Sequence, residues 1–423
     1  MRDREVELLA IGAGPSNLAL AVALEELAPD LADNSLLVER EAAVEWQSGL
    51  LLPWAKSQVS FLKDLVTLRN PNSQFSFLNY LHSVGRLDDF INMASFIPYR
   101  VEISEYFKWA ANQLERVKIK LNCACTGIEP RFGADGSPVG WVTRLDDGSV
   151  ISSRYLVIGI GRDAYTPPVF ARVPANRLVH STQYRPVISG LDKDFPYRLA
   201  VIGSAQSAAE MYRALQDDLP SAQITWVMRA IGVGAYDKTQ FINELYYPSF
   251  VDEFFEAKPD AREQLLREMH KTNYAGVEPP FVEELYREGY LDRLNKQDRK
   301  RIVTMTDITA ADATDDEVRL ELTSRMTGQV TELRNDLVFL GTGFVREMPL
   351  LIRTLGQALD LPTMQVTRQY RLIMDDTSAS AACYLQGVNE ATHGIGDSLL
   401  SVIASRAGEI VTDILDHRAQ HAA

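Results

Sequence analysis

The chain has 423 residues, of which 46% are hydrophobic and 24% are charged. This balance is typical of a folded protein with two or three domains, and it excludes disorder over most of the length. Acidic residues number 57 against 43 basic ones, a formal net charge of −14, so no net field favours nucleic acid or an anionic membrane. Three cysteines are too few for a disulfide framework and indicate a reducing compartment.

An uncharged run at residues 8–24 raises the question of a signal peptide or a membrane anchor. A Gly-Ala-Gly-Pro sequence interrupts the run, and Glu5 and Glu7 precede it where a signal peptide requires positive charge. The run is also shorter than the roughly 20 residues that a membrane-spanning helix needs. We therefore expect a cytoplasmic protein that does not bind membranes.

The first recognisable unit begins with an apolar run at residues 6–11 that enters Gly12-Ala13-Gly14-Pro15. A helical pattern follows, and a second apolar run at 36–38 ends in Glu39. Gly12 and Gly14 allow the backbone to approach a pyrophosphate, and Glu39 would accept hydrogen bonds from a ribose. This order of strand, turn, helix, strand and acid predicts a dinucleotide site, although Asn17 stands where a third glycine is usual.

A second unit of matching length repeats the same order. Residues 199–202 lead into Gly203-Ser204-Ala205-Gln206-Ser207, a helical pattern follows, and a strand at 224–227 reaches Arg229. An acid at that last place would repel a 2′-phosphate, whereas an arginine can grip it with paired hydrogen bonds. The first unit is therefore predicted to bind FAD and the second NADPH. Ala205 replaces a glycine expected in this turn, which bears on how closely the backbone can approach the coenzyme.

Two similar segments, at residues 155–161 and 336–343, are apolar strands that end in Gly-x-Gly. They bracket the second unit as crossings into and out of an inserted domain would. We predict an α/β fold with two Rossmann-like dinucleotide-binding domains, the second inserted in the first. The boundaries are 1–190 for the first part of the FAD domain, 191–335 for the NADPH domain and 336–423 for the return. A charged, aromatic-rich helical segment at about 241–300 is predicted to bind substrate over the cleft.

No metal site is expected, because the six histidines show no metal-ligand spacing. Cys123 and Cys125 lie in an apolar run, and we interpret them as buried structural thiols rather than as a redox pair. This interpretation argues against the disulfide reductases, which share a plan of two dinucleotide sites but need a redox-active cysteine pair.

Residues 58–71 and 75–81 carry the most distinctive motif of the chain. They read Gln58-Val59-Ser60-Phe61-Leu62-Lys63-Asp64-Leu65-Val66-Thr67-Leu68-Arg69-Asn70-Pro71 and Phe75-Ser76-Phe77-Leu78-Asn79-Tyr80-Leu81. This motif resembles the signature of the amino-acid side-chain N-hydroxylating flavin monooxygenases, and among them the ornithine N-hydroxylases. The resemblance continues in order through residues 12–18, 99–100, 203–210, 228–229, 243–245, 273–274 and 392–401. It departs at Ala205 and at Gly341-Thr342-Gly343-Phe344, where the family has a glycine and Ala-Thr-Gly-Tyr.

The resemblance implies a reaction cycle and a set of cofactor residues. In the family, NADPH reduces FAD, the reduced flavin adds O2 to form a C4a-hydroperoxide, and the substrate amine attacks its distal oxygen while NADP⁺ is retained. No dedicated catalytic base is implied; Gln58, near the flavin, and Arg100, near the nicotinamide or flavin, support the reaction. The implied FAD residues are Gly12, Gly14, Pro15, Asn17, Leu18, Glu39, Trp46, Gln47, Gln58, Asp397, Ser398, Leu399 and Leu400. The implied NADP residues are Arg100, Gly203, Ser204, Ala205, Gln206, Ser207, Arg229, Asn273, Tyr274 and Ala275. Residues 397–400 are expected to open a helix that points at the isoalloxazine.

The substrate residues implied by the resemblance are Lys63, Asn243, Asn273 and Ser401. The attacking nitrogen must be neutral, whereas a free alkylammonium has a pKa of about 10.4, so a site with one cation and no acid suits this chemistry. Lys63 suits the α-carboxylate and the amides suit the two amino groups. Each also has a purely structural alternative: a lysine paired with an acid, an asparagine that caps a helix and an asparagine in a turn.

We therefore expect N5-hydroxylation of L-ornithine with NADPH and O2, supplying a siderophore or related natural product. The alternatives are the same reaction on lysine or a diamine, an NADPH:flavin oxidase that releases peroxide, and a flavin-binding protein without turnover. Ornithine and lysine differ by one methylene, which a pocket distinguishes by only about 1–3 kcal/mol. A homo-oligomer, dimer or tetramer, is expected from the resemblance.

Overall fold

A computed structural model of the chain describes residues 3–237, 239–374 and 379–421. The strands are β1 (Asp3–Ile11), β2 (Ser35–Val38), β3 (Lys118–Lys120), β4 (Cys125–Phe132), β5 (Pro138–Leu145), β6 (Val150–Ile158), β7 (Leu178–His180), β8 (Arg198–Ile202), β9 (Gln223–Val227), β10 (Lys300–Val303), β11 (Thr306–Ala313), β12 (Val318–Ser324), β13 (Val330–Asn335), β14 (Leu337–Leu340) and β15 (Ala382–Leu385). The helices are α1 (Pro15–Leu27), α2 (Pro29–Ala32), α3 (Phe77–Ser83), α4 (Leu87–Met93), α5 (Arg100–Asn112), α6 (Tyr184–Ile188), α7 (Gln206–Asp218), α8 (Gln240–Glu244), α9 (Ser249–Glu256), α10 (Pro259–Asn273), α11 (Pro279–Leu294), α12 (Leu350–Ala358), α13 (Glu390–His393) and α14 (Ile403–Gln420).

The first sheet runs in the order β3-β2-β1-β6-β5-β4, with β15 also paired to β6. Strands β3, β2, β1, β6 and β15 are parallel, and β4 and β5 join them as an antiparallel extension. Ile11 pairs with both Val38 and Ile158, so the ends of these three strands are level at one edge of the sheet. Helices α1 and α14 pack together on one face, and α1 is buried along most of its length because it is apolar on nearly every side.

The second sheet is parallel throughout, in the order β10-β9-β8-β14-β7. Strands β7 and β14 both belong to it, one before residue 191 and the other after residue 335. The boundaries at 190 and 335 therefore leave two strands of the second sheet outside the second domain. The similar strands at 155–161 and 336–343 lie in different sheets, because β6 pairs with β1 whereas β14 pairs with β8. Both strands end in Gly-x-Gly although they belong to different sheets.

Helices α8 to α11 lie between β9 and β10 in the chain and correspond to the helical segment expected at about 241–300. A small apolar cluster packs α8 and α10 against the segment before α14, through Tyr246, Met269 and Ile395. A third, antiparallel sheet of β11, β12 and β13 packs its apolar residues against the second sheet. Within the ranges given above, no helix combines the length and apolar character needed to cross a membrane.

Candidate active site

The first glycine turn lies between β1 and α1. Gly12 has φ +90°, and a Cβ on it would come 2.7 Å from the carbonyl oxygen of Gly159, so this position requires glycine. Gly14 precedes α1 with Pro15 in its first turn, and no side chain of the described residues caps this helix. A Cβ on Gly14 would meet nothing within 4 Å, so open space adjoins the uncapped amides. This geometry fits the pyrophosphate of FAD.

Asn17 explains why the turn lacks its usual third glycine. Its Nδ2 donates to the carbonyl oxygens of Ile11 and Gly12 at 2.8 and 2.9 Å, and the side chain is fully buried. Space for the carboxamide comes from Gly159, where a Cβ would lie 2.8 Å from the Asn17 side chain. The Asn17 carboxamide thus stabilises the glycine turn through its two backbone carbonyl groups.

Glu39 is held beside the same turn at the end of β2. Its Oε2 accepts from the amide of Ala13 at 2.7 Å, and its Oε1 accepts from the amide of Glu41 at 3.0 Å. The carboxylate is therefore ordered next to the predicted pyrophosphate site rather than pointing freely into solvent. A role on the ribose stays a prediction.

The second glycine turn, between β8 and α7, is built in the same way. Gly203 has φ +129°, and a Cβ on it would lie 2.3 Å from the carbonyl oxygen of Gly341. Ala205 precedes α7 with φ −101° and ψ −176°, an extended conformation that any residue adopts, so alanine in place of glycine causes no strain there. Arg229 is exposed just past the end of β9, as the predicted 2′-phosphate site requires.

Lys63 and Ser401, which are 338 positions apart in the chain, are brought into direct contact. The Lys63 Nζ donates to the Ser401 Oγ at 3.0 Å and lies 4.5 Å from the centre of the Tyr247 ring. Burial lowers the pKa of Lys63, and no charged partner counteracts this shift. The alternative of a lysine paired with an acid therefore does not apply in the described part of the chain.

Asp64, which the sequence reasoning missed, fixes the loop that carries Lys63. Its carboxylate is buried and accepts from the amides of Val66, Thr67 and Phe77 at 3.0, 2.6 and 2.8 Å, and from the Thr67 hydroxyl at 2.9 Å. Burial is the largest influence on the Asp64 carboxyl and raises its pKa, against the opposing effect of these hydrogen bonds. The signal was the acid inside the motif next to the lysine.

Asn243 and Asn273 lie on two helices, α8 and α10, of the segment whose Tyr246 and Tyr247 rings lie near Lys63. Asn243 is inside α8, whose N-cap is Thr239, and Asn273 is the last residue of α10. The alternative of Asn243 as a helix cap is therefore wrong. The hydroxyls of Tyr246 and Thr272, neighbours of the two asparagines, are hydrogen-bonded to each other and tie the helices together.

The segment that ends in Ser401 differs from the expected helix start. Asp397 lies in a 3₁₀ turn, a second 3₁₀ turn follows at Leu400–Val402, and α14 begins only at Ile403. Arg406 of α14 holds this segment: its Nη1 pairs with the Asp397 Oδ1 at 2.6 Å, with both side chains fully buried. The Asp397 Oδ2 accepts from the amide of Asn389 at 2.7 Å. Residues 397–400 thus lead into α14 through 3₁₀ turns rather than forming its first α-helical turn, and their contact with the flavin stays a prediction.

Gln47, Gln58, Tyr274 and Arg100, which are also predicted cofactor residues, have varied local environments. Gln47 and Gln58 have φ +55° and +65°, conformations that non-glycine residues adopt mainly where the surroundings enforce them. The Tyr274 hydroxyl donates to the Glu390 Oε1 at 2.6 Å. The Arg100 guanidinium pairs with Glu210, so its predicted place near the nicotinamide or flavin stays a prediction. Of the described residues, no group of three or more His, Cys, Asp or Glu is placed to hold a metal ion.

Comparison with known proteins gives consistent matches along the chain. The sequence profile of the family described as L-lysine 6-monooxygenase/L-ornithine 5-monooxygenase matches residues 4–346. An L-ornithine N(5)-oxygenase of Arthrobotrys oligospora is 36% identical, over 97% of this chain and 88% of the relative. The solved structure of the ornithine hydroxylase PvdA of Pseudomonas aeruginosa matches with a TM-score of 0.90 at 35% identity, over 98% of this chain and 99% of that one. A Kutzneria ornithine N-hydroxylase, KtzI with reduced FAD, NADP⁺ and L-ornithine, matches with a TM-score of 0.89 at 32% identity, over 98% and 100% of the two chains.

Proposed function

The chain belongs to the L-lysine 6-monooxygenase/L-ornithine 5-monooxygenase family, and from this premise we propose that it hydroxylates the side-chain amine of L-ornithine with NADPH and O2. The product is N5-hydroxyornithine, a precursor suited to siderophores or related natural products. Relatives named for ornithine match nearly the whole chain at about a third identity or more, which supports ornithine over lysine or a diamine.

The observation that carries the proposal is the contact between Lys63 and Ser401. It joins a cation and a hydroxyl at a partly buried place where no described acid neutralises the cation. A carboxylate is the ligand that such a pair binds best, since both groups can donate to it. The α-carboxylate of an amino acid therefore has a prepared position, and its side chain extends from there.

FAD and NADPH are the cofactors of this reaction. The turn at Gly12 and Gly14 would hold the FAD pyrophosphate, while the turn at Gly203 would hold that of NADPH with Arg229 on the 2′-phosphate. When bound and reduced by NADPH, FAD supplies the activation of O2 that transfers one oxygen atom to nitrogen. The protein's own part is to place the amine and to keep it neutral.

Neutrality of the amine is favoured by the residues around it. Asn243 and Asn273 offer carboxamides, which do not hold a proton on nitrogen as a carboxylate would. The buried Tyr246 ring and the more exposed Tyr247 ring lie 6.0 and 4.5 Å from the Lys63 Nζ and contribute uncharged surface to its neighbourhood. A bound alkylammonium therefore has a lower pKa beside these carboxamides than it would have beside a carboxylate, and nucleophilic attack requires the neutral amine.

The test is an assay of the purified protein with FAD, NADPH and O2 against L-ornithine, L-lysine and short diamines, with the hydroxylated amine identified by mass spectrometry. We expect hydroxylated ornithine as the main product. NADPH consumption that yields only peroxide with every amine would contradict the proposal.

Free Cys123, Cys125 and Cys383 favour the cytoplasm as the place of action, and the homo-oligomer stays a prediction.

A further inference from the structure

A buried ion pair between Arg100 and Glu210 joins the first domain to the N-terminal part of α7 in the second domain. The Arg100 Nη1 donates to the Glu210 Oε2 at 2.9 Å and the Nη2 to the Oε1 at 2.7 Å, with 6% and 1% of the two side chains exposed. Arg100 opens α5, which packs with α1 and α3 of the first domain. Glu210 lies one turn inside α7, the helix that follows the second glycine turn.

Both members of the ion pair make further hydrogen bonds, each within its own domain. The Arg100 Nη1 also donates to the carbonyl oxygen of Leu50 at 3.0 Å, and the Arg100 amide donates to that of Ala55 at 2.8 Å. This loop leads directly to Gln58 and Lys63, and its apolar residues pack into the core of the second sheet. On the other side, the Gln206 Nε2 donates to the Glu210 Oε1 at 2.9 Å.

Gln206 extends the contact to the helical segment. Its Oε1 accepts from the amide of Glu278 at 2.9 Å, at the start of α11 and a few residues past Asn273. Arg100 and Glu210, with Gln206, thus join the loop that leads to Lys63, the helix of the coenzyme turn and the start of α11 in the substrate segment. These are the three parts that must be aligned for a coenzyme and a flavin to meet.

We infer that Glu210 is a positioning residue, which through Arg100 fixes the orientation of α7 and its coenzyme turn relative to the flavin domain. A buried ion pair adds little net stability compared with an apolar pair, yet it admits only one geometry. Loss of the Glu210 charge leaves the guanidinium buried without its partner, so α7 shifts to give it water or another acceptor. The inference rests on the proposed use of FAD and NADPH and goes beyond it in assigning how the two sites are held in register.

The experiment compares holoenzymes of Glu210→Gln and Arg100→Gln. Glutamine preserves the size of Glu210 and removes only its charge. We expect the rate of flavin reduction by NADPH without O2, followed by flavin absorbance, to fall at least tenfold in both variants. FAD content and the KM for ornithine should change less than twofold in Glu210→Gln. Scanning calorimetry should show the FAD and NADPH domains of this variant unfolding in two separated transitions, where the wild type shows one.

Glu26→Gln is the matched control, since Glu26 pairs with Arg69 at 2.5 Å within the first domain, with 17% and 12% of the side chains exposed. It should lower the melting temperature without separating two transitions and without slowing flavin reduction. Wild-type reduction in Glu210→Gln together with slow reduction in Arg100→Gln would show that Arg100 acts on the cofactors directly, and would overturn the inference. An equal slowing in Glu26→Gln would reduce the effect to general destabilisation and overturn it as well. Failure to hydroxylate ornithine would refute the proposed substrate and leave the flavin-reduction, FAD-content and calorimetry readouts unaffected.

Discussion

At the scale of single residues, the contacts of Lys63 indicate a cation that binds a ligand rather than one that stabilises the fold. A lysine that serves the fold usually pairs with an acid, whereas the Lys63 Nζ contacts a hydroxyl and an aromatic face. Its loop is fixed by the neighbouring Asp64, whose carboxylate is fully used by backbone amides and one hydroxyl. The positive charge is therefore positioned and left available to a ligand.

Lys63→Met should raise the KM for ornithine about 10- to 100-fold, because a charge-assisted hydrogen bond to the α-carboxylate contributes about 1.5–3 kcal/mol. Methionine preserves most of the side-chain volume, so the surrounding rings should keep their packing. NADPH oxidation without substrate should remain close to wild type. Steady-state kinetics with product detection measures both quantities. Lys108→Met, a change of an exposed lysine on α5, is the control, and an unchanged KM in Lys63→Met would refute the carboxylate role.

At the scale of elements, the close approach of β14 to α7 shapes the coenzyme turn. A Cβ on Gly341 would lie 2.5 Å from the Cβ and 2.7 Å from the backbone of Ala208. Strand β14 and helix α7 are therefore closer together than an alanine at position 341 allows. Because the amides at the start of α7 are the predicted pyrophosphate ligands, their position depends on this contact.

Gly341→Ala should therefore destabilise the protein by about 1–3 kcal/mol, as expected for overpacking, and should raise the KM for NADPH. The KM for ornithine should be less affected, since Lys63 and Ser401, the proposed α-carboxylate ligands, lie on the first domain. Thermal unfolding and steady-state kinetics provide the two measurements. Gly127→Ala on β4, where an added Cβ meets nothing within 4 Å, is the control and should leave both unchanged. A normal affinity for NADPH in Gly341→Ala would show that the turn tolerates the displacement.

At the scale of the whole molecule, a buried histidine of the C-terminal part of the FAD domain (336–423) contacts helix α9 of the substrate segment. His393 stacks on Tyr370 with ring centres 4.1 Å apart and packs against Phe255 of α9. Its Nε2 is 3.1 Å from the carbonyl oxygen of Arg368, which assigns the ring proton to this nitrogen. Burial is the main cause that lowers the pKa of His393 to about 4. The imidazole is therefore neutral in the folded protein at neutral pH.

Stability should consequently decrease in mildly acidic solution. Since the folded pKa lies below the unfolded value of about 6.5, the unfolded chain takes up a proton first as the pH falls. The free energy of unfolding should fall between pH 6.5 and about 4, by about 3 kcal/mol from His393 alone. His417, whose pKa burial also lowers to about 4, acts in the same direction.

The measurement is the melting temperature of the wild type and of His393→Gln at pH values across this window. The variant should lose part of the pH dependence, with the remainder due to His417 and other groups. His82→Gln, which changes an exposed histidine, should keep the wild-type dependence. Parallel curves for the wild type and His393→Gln would contradict the assignment.

Local features of the chain were sufficient to predict the two dinucleotide units and their cofactors. Apolar periodicity, glycines at places of positive φ and an acid or arginine at a strand end depend only on neighbours in the sequence, so Gly12, Gly203 and the two units could be recognised there. The family resemblance added the four substrate positions as expectations. It could not indicate which of them touch.

Only the tertiary structure decided which strands and side chains pair when they are far apart in the sequence. The assignment of β7 and β14 to the second sheet, the pair of Lys63 with Ser401 and the pair of Arg100 with Glu210 all join residues more than a hundred positions apart. Apolar strands of similar composition suit either sheet, and a charged side chain is compatible with many partners, so sequence alone leaves these choices open. They are settled by packing, because a buried charge or strand edge is stable only where one complementary group lies within reach.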